Sequence, residues 1–140
     1  MEEFIIRNMK ADDYDKVIEI WKESEGIGLS EADSRGSILF YLEHNPGMSF
    51  VAEDENGIAG AVLCGHDGRR GYLHHLAVKK EARGKGLGKR LAEKCLDRLK
   101  EAGIKKCHIF VLADNEEGLK FWNELGWQKR KDIILLSKNI

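Results

Sequence analysis

Residues 82 to 90 read ARGKGLGKR, with glycine at 84, 86 and 88 and basic side chains at 83, 85, 89 and 90. The run lies between a strand-like stretch, YLHHLAV (72 to 78), and a helical pattern in which Leu87, Leu91, Cys95 and Leu99 recur every four positions. A strand, a glycine turn and the first turn of a helix present several unpaired backbone N–H groups to one point outside the chain, and such a point attracts an anion. Glycine permits unusual φ values and lets a ligand come close to the backbone. Charge-assisted hydrogen bonds from the cations contribute about 1.5 to 3 kcal/mol each, together enough to hold a pyrophosphate. The Walker pattern G-x-x-x-x-G-K-[ST] does not occur, and the dinucleotide fingerprint needs glycine where Lys89 stands. Taken alone, the loop is either an anion cradle or a solvated basic turn ahead of a helix.

Working outward, EFIIR (3 to 7) predicts a first strand. Tyr14, Val17, Ile18 and Trp21 follow at i, i+3, i+4 and i+7, an amphipathic helix over roughly residues 12 to 24. Ser30 with Asp33 three residues on resembles a capping box and opens a second helix that HNPG (44 to 47) closes. Two strand-like runs then join through DENG (54 to 57), where Asn56-Gly57 is a hairpin signal, and YLHHLAV extends the meander. The helix from Leu87 stops at Gly103, KCHIFVLADN (106 to 115) is the next strand, and residues 116 to 125 form a short helix closed by Gly126. WQKRKDIILLSK (127 to 138) reads as a final hairpin or pair of strands. The order is β-α-α-β-β-β-α-β-α-β-β, an α/β (α+β) fold with a mixed, mostly antiparallel, twisted sheet of about seven strands and four helices.

The 140 residues suit one domain spanning 1 to 140, and the 42% hydrophobic and 34% charged residues suit a chain with a packed core rather than a disordered one. Basic and acidic residues number 23 and 24, so the overall field attracts neither nucleic acid nor an anionic membrane, and any anion site must be local. Cys64, Cys95 and Cys107 are odd in number and form no C-x-x-C pair, which suggests neither a disulfide framework nor a metal site. The start MEEFIIRNMK has acidic residues where a signal peptide needs basic ones, and no apolar run approaches the ~20 residues of a membrane span; a cytoplasmic location is expected.

R-G-K-G-L-G fits the R/Q-x-x-G-x-G/A signature of the GCN5-related N-acetyltransferase superfamily, with Arg83, Gly86 and Gly88 on the defining positions. LAV ends the strand ahead of it, and DNEEGLKFWNELGW (114 to 127) is similar to the family segment N-x-x-A-x-x-x-Y-x-x-x-G-F. The chain resembles that family over almost its whole length. The resemblance implies an acyl-CoA acyltransferase-like fold and acetyl transfer from acetyl-CoA, as cosubstrate and without a metal, to an amine. It implies that Arg83, Gly84, Lys85, Gly86, Leu87, Gly88 and Lys89 hold the pyrophosphate. Pantetheine would lie in a gap between the fourth and fifth strands, against Leu76, Ala77 and Val78, where a backbone N–H stabilises the oxyanion. Asn115 binds pantetheine or starts the following helix, roles that are compatible.

Attack on a thioester needs a neutral amine, so a group must take the ammonium proton, and histidine suits neutral pH. Alternation puts Tyr72, His74, Leu76 and Val78 on one strand face and Leu73, His75 and Ala77 on the other, so one histidine alone faces the substrate unless a bulge intervenes. His74 stands two residues before LAV, where arylalkylamine and glucosamine-phosphate acetyltransferases resemble each other in carrying the reaction-centre His or Glu; it is the expected base. His75 is expected to be structural, and His108 is a weaker candidate. Many members carry a tyrosine acid where Trp122 stands, and indole cannot replace it. Either Tyr72 substitutes, or the thiolate leaves with little help while Trp122 packs against the acyl or pantetheine arm. ESEGIGLSEAD (23 to 33), where members build the acceptor site, carries four acidic and no basic residues, which favours a cationic acceptor. The acceptor is a small molecule or a peptide or protein, and the chain acts alone or as a homodimer. The rival function is a non-catalytic acyl-CoA-binding or regulatory module.

Overall fold

The computed structural model describes residues 3–140. Five strands, β1 (Ile5–Asn8), β2 (Phe50–Asp54), β3 (Gly57–His66), β4 (Gly71–Val78) and β5 (Cys107–Ile109), lie side by side in that order. Pairing is antiparallel from β1 to β4, and β5 runs parallel to β4. The helices are α1 (Tyr14–Lys22), α2 (Arg35–His44), α3 (Leu87–Glu101) and α4 (Glu116–Glu124). Strand alternation divides the core in two. Phe50, Ala52, Val62 and Cys64 meet Leu87, Leu91, Cys95 and Leu99 of α3 and Trp122 of α4, whereas Val51, Ala61 and Leu63 meet Val17, Ile20 and Trp21 of α1 and Ile38 of α2. Each such aliphatic side chain contributes about 1.5 to 3 kcal/mol by leaving water.

The order through α4 is the expected one. The last two strands are absent: residues 128 to 140 form no strand, and Ile133, Ile134, Leu135 and Leu136 are exposed. These four residues pair with none of the five strands and join neither core cluster, and apolar residues without a ladder or a packed face do not make a strand. The fifth strand is shorter than expected, three residues in place of ten. Ser30 and Asp33 do form a capping box, but on a single 3-10 turn (Glu31–Asp33); Ser34 caps α2 itself. In the hairpin, Asp54 pairs with Gly57, so Glu55 and Asn56 make the tip, and Gly57 (φ 115°) is already a ladder residue.

All three cysteines are free, Cys64 and Cys95 in the core and Cys107 half-buried. Among the described residues no helix is long and apolar enough to cross a membrane, and no group of three metal-ligating side chains converges.

Candidate active site

The site is organised by an irregularity in β4. Ala61 pairs with Ala77 but Leu63 pairs with His74, so one extra residue is inserted in β4 opposite Val62, and His75 takes φ 55°. This bulge breaks the alternation expected for YLHHLAV. Leu73 packs on the α3 side and Ala77 on the α1–α2 side, although an even spacing of four positions would put them on one face of a regular strand. His75 therefore does not turn away from His74. Both rings lie on the α1–α2 side, 6.5 Å apart between centroids. A positive φ at a non-glycine residue is strained, and a fixed partner holds it here: His75 Nε2 lies 2.8 Å from Asp33 Oδ1, and the ring meets Trp21 edge-on at 5.0 Å. The other Asp33 oxygen accepts the Ser30 N–H at 3.0 Å, and Tyr14 donates its hydroxyl to the Asp33 carbonyl at 2.6 Å. Asp33 is 7% exposed. Burial pushes the His74 pKa below its ordinary value, the neighbouring His75 pushes it further, and Asp33 opposes them.

Beyond Leu73 the two parallel strands part. β5 pairs with β4 only from Gly71 to Leu73, so His74 to Val78 have β3 on one side and a gap on the other. The Lys79 N–H bonds to Ala59 O, and alternation turns the Val78 N–H toward the gap. A groove of about 1350 Å³ follows this gap from the histidines, past Leu76, Ala77 and Val78, to the glycine turn.

In that turn Gly84 and Gly86 have φ of 80° and 79°, and nothing lies within 4 Å of where their β-carbons would stand. Gly88 serves differently: a β-carbon there would press on Phe121, 3.1 Å away, so it lets α3 approach α4. Gly84, Gly86, Leu87, Gly88, Lys89 and Arg83 line the groove. Arg83 also donates Nε to Val78 O at 2.9 Å, which ties the turn to the end of β4. Lys85 does not line the groove; its ammonium sits 5.5 Å from the centre of the Phe4 ring.

Asn115 and Trp122 line the far wall. Asn115 caps α4, accepting the Gly118 N–H at 3.0 Å, and the Gly26 backbone packs directly on its side chain, so the loop after α1 closes over this end. Trp122 is buried between Phe121 and Trp127. Tyr72, the expected alternative acid, lines neither this groove nor the smaller cavity between α2, β3 and β4: its ring packs beside those of His74 and Phe110, at 6.4 and 6.2 Å, the latter two being 6.0 Å apart, and lies 5.7 Å from His108. His108 likewise lines neither cavity.

A second cavity of about 650 Å³ opens between α2, β3 and β4, lined by Ile38, Phe40, Tyr41, Leu63 and Asp33 among others. Gly28, His74 and His75 are the residues common to both linings. Of the acidic segment, Asp33 lines the smaller cavity, Glu23 and Glu25 line the groove, and Glu31 lines neither. The Asp33–His75 pair was not legible because its members lie 42 residues apart; two adjacent histidines in one strand were the available signal of a bulge.

Comparison with known proteins agrees with this geometry. The acetyltransferase (GNAT) family profile matches residues 14–127. An acetyltransferase of Pectobacterium atrosepticum is 30% identical over 135 residues, 96% of this chain and 94% of the relative. Ard1 from Thermoplasma volcanium superposes with a TM-score of 0.78 at 20% identity, covering 88% of this chain and 81% of the other. The PaiA N-acetyltransferase of Thermoplasma acidophilum, solved in complex with coenzyme A, gives 0.76 at 21% identity over 88% of each chain. With the profile spanning the chain from α1 to the residue after the glycine that ends α4, the protein belongs to the GNAT acetyltransferase family.

Proposed function

We propose that the chain is an N-acetyltransferase that moves the acetyl group of acetyl-CoA to a primary amine by direct attack in a ternary complex. One observation carries the reading: the long groove and the smaller cavity meet at His74, His75 and Gly28, so a thioester reaching along one and an amine entering the other come together beside two imidazoles. The groove residues fit the cosubstrate. Open backbone at Gly84 and Gly86, ahead of the 15-residue α3 and beside Arg83 and Lys89, suits a pyrophosphate; Leu76, Ala77 and Val78 offer a strand edge to an amide-bearing arm; Asn115 and Trp122 close its other side. Acetyl-CoA supplies the activated acyl group.

His74, kept neutral by burial, takes a proton from the acceptor ammonium and frees the lone pair on nitrogen. As the N–C bond forms, a β4 N–H facing the gap stabilises the charge gathering on the carbonyl oxygen, a contribution of about 2.7 to 4 kcal/mol. The C–S bond then breaks with its electron pair left on sulfur, and the second proton of the attacking nitrogen passes to water or to the departing thiolate, leaving the neutral amide. No phenol lines the groove in the described residues, and the indole N–H of Trp122 is too weak an acid to protonate a thiolate; a thiol pKa of ~8.5 makes departure as thiolate tolerable.

The test is release of free thiol from acetyl-CoA across amines, polyamines and peptides. Release that depends on an acceptor and falls in His74→Ala supports the reading. The missing phenol also favours the second reading, an acyl-CoA-binding module, which predicts thermal stabilisation by coenzyme A with no acceptor-dependent release.

A further inference from the structure

Among the described residues the smaller cavity offers no exposed carboxylate, lysine or arginine on its walls. Asp33 is the only acid lining it among the described residues, and both of its oxygens are used, one by His75 and one by the Ser30 N–H. No lysine or arginine lines it. Asp33 is 7% exposed and its carboxylate is hydrogen-bonded at both oxygens, so a second ammonium on the acceptor would lose water without a carboxylate open to pair with it, and an acceptor carboxylate would be repelled by Asp33; burying a poorly paired charge is costly. The walls are apolar instead. Ile38, Tyr41 and Leu63 form them, and at the rim Phe40 is 69% exposed, its ring stacked on His44 at 5.9 Å and 20°. Its outward exposure leaves aromatic surface uncovered beside an aperture of small-molecule size.

We infer that this cavity takes a primary monoamine carried on an uncharged, flat, apolar body such as an aromatic ring, with the nitrogen directed to the two histidines and the ring against Phe40 and Tyr41. The inference rests on the acetyltransferase reading and names its acceptor class. It also gives the acidic segment another role: Asp33 positions His75, and Glu23 and Glu25 face the groove rather than the acceptor.

The experiment compares thiol release at saturating acetyl-CoA with phenylethylamine, spermidine, phenylalanine and a lysine-containing peptide. Phenylethylamine is expected to give kcat/KM at least about tenfold above the other three, the scale on which an apolar pocket discriminates. Phe40→Ala should raise its KM roughly 2- to 10-fold, the worth of one aromatic contact, with coenzyme A affinity unchanged. Phe40→Glu, which adds a carboxylate at an exposed position, should shift the preference toward spermidine. Spermidine, the amino acid or the peptide serving best in the wild type, or an unchanged KM in Phe40→Ala, overturns the inference. If no amine releases thiol, the acetyltransferase reading fails, and binding still decides the cavity: with coenzyme A present, added stabilisation by phenylethylamine but not spermidine supports the inference, and any other pattern overturns it.

Discussion

The imidazolium of His74 is the form that burial and the neighbouring His75 disfavour, so the neutral, proton-accepting ring persists to lower pH than in a free histidine. With a verified acceptor, kcat/KM should rise with pH through an apparent pKa below the ordinary ~6.5 of imidazole. His74→Ala should remove that limb and lower turnover by roughly 10²- to 10⁴-fold, the usual span for a positioned general base. The acceptor amine titrates too, so comparison with the variant identifies the histidine. His75 is a different case. Simple alternation would make it a stability residue remote from the reaction, but the bulge brings it into both cavities and pairs it with buried Asp33. His75→Ala should therefore cost about 1 to 3 kcal/mol, through a carboxylate left short of a partner, and lower turnover as well. Denaturant melts and kinetics on one preparation check both; a loss of stability alone would return His75 to a purely structural role.

Among the elements, β1, β2 and the turn before α1 are tied by Arg7, which donates to both Asp13 oxygens at 2.9 Å and to the Glu53 carboxylate at 2.7 and 3.1 Å. Burial works against the Asp13 charge, yet the hydrogen bonds from Arg7 and the Lys10 backbone outweigh it and hold the carboxyl below its usual pKa; the Arg7 bond does the same for Glu53. A carboxyl depressed in the fold stabilises it above the unfolded pKa of ~4, and that support is lost as pH falls through the folded value. Arg7→Met should lower stability at neutral pH by roughly 1 to 3 kcal/mol, less at acid pH where the carboxyls are protonated anyway, as urea melts at the two pH values will show. Such ties explain which elements were legible. Helices α1 and α3 announce themselves by spacing, since each needs only its own apolar stripe and a cap. The β4 bulge and the Asp33–His75 bond depend on contacts between distant segments. The terminal apolar run, Ile133 to Leu136, shows the converse: strand-like residues predict a strand only if an edge and a face receive them. The glycine loop was the most legible part of the site, because its conformational demand is local.

Across the whole molecule the groove borders on β4, the glycine turn, the start of α3 and α4, while the loop after α1 reaches over to Asn115 from the opposite helical layer. A ligand filling it touches parts of both cores and binds only the assembled fold, so its binding energy adds to folding stability by mass action. At a concentration 100-fold above its dissociation constant, coenzyme A should add about 2.7 kcal/mol. For a chain of this size that corresponds to a rise in Tm of roughly 5 to 15 °C. Gly86→Val should abolish the rise. Its φ of 79° suits glycine, and a branched side chain would project into the open space over the turn where phosphate must approach the backbone. The strain also lowers the variant's own Tm, so the decisive quantity is the difference with and without ligand, measured for each protein by differential scanning fluorimetry. Gly103, also at positive φ (84°) but closing α3 at its far end, supplies the control: Gly103→Val should lose a comparable amount of intrinsic stability yet keep the full ligand-dependent rise. Equal loss of the rise in both variants would mean that the fold as a whole, and not the turn, governs binding. A full rise in Gly86→Val would mean that the phosphates lie elsewhere.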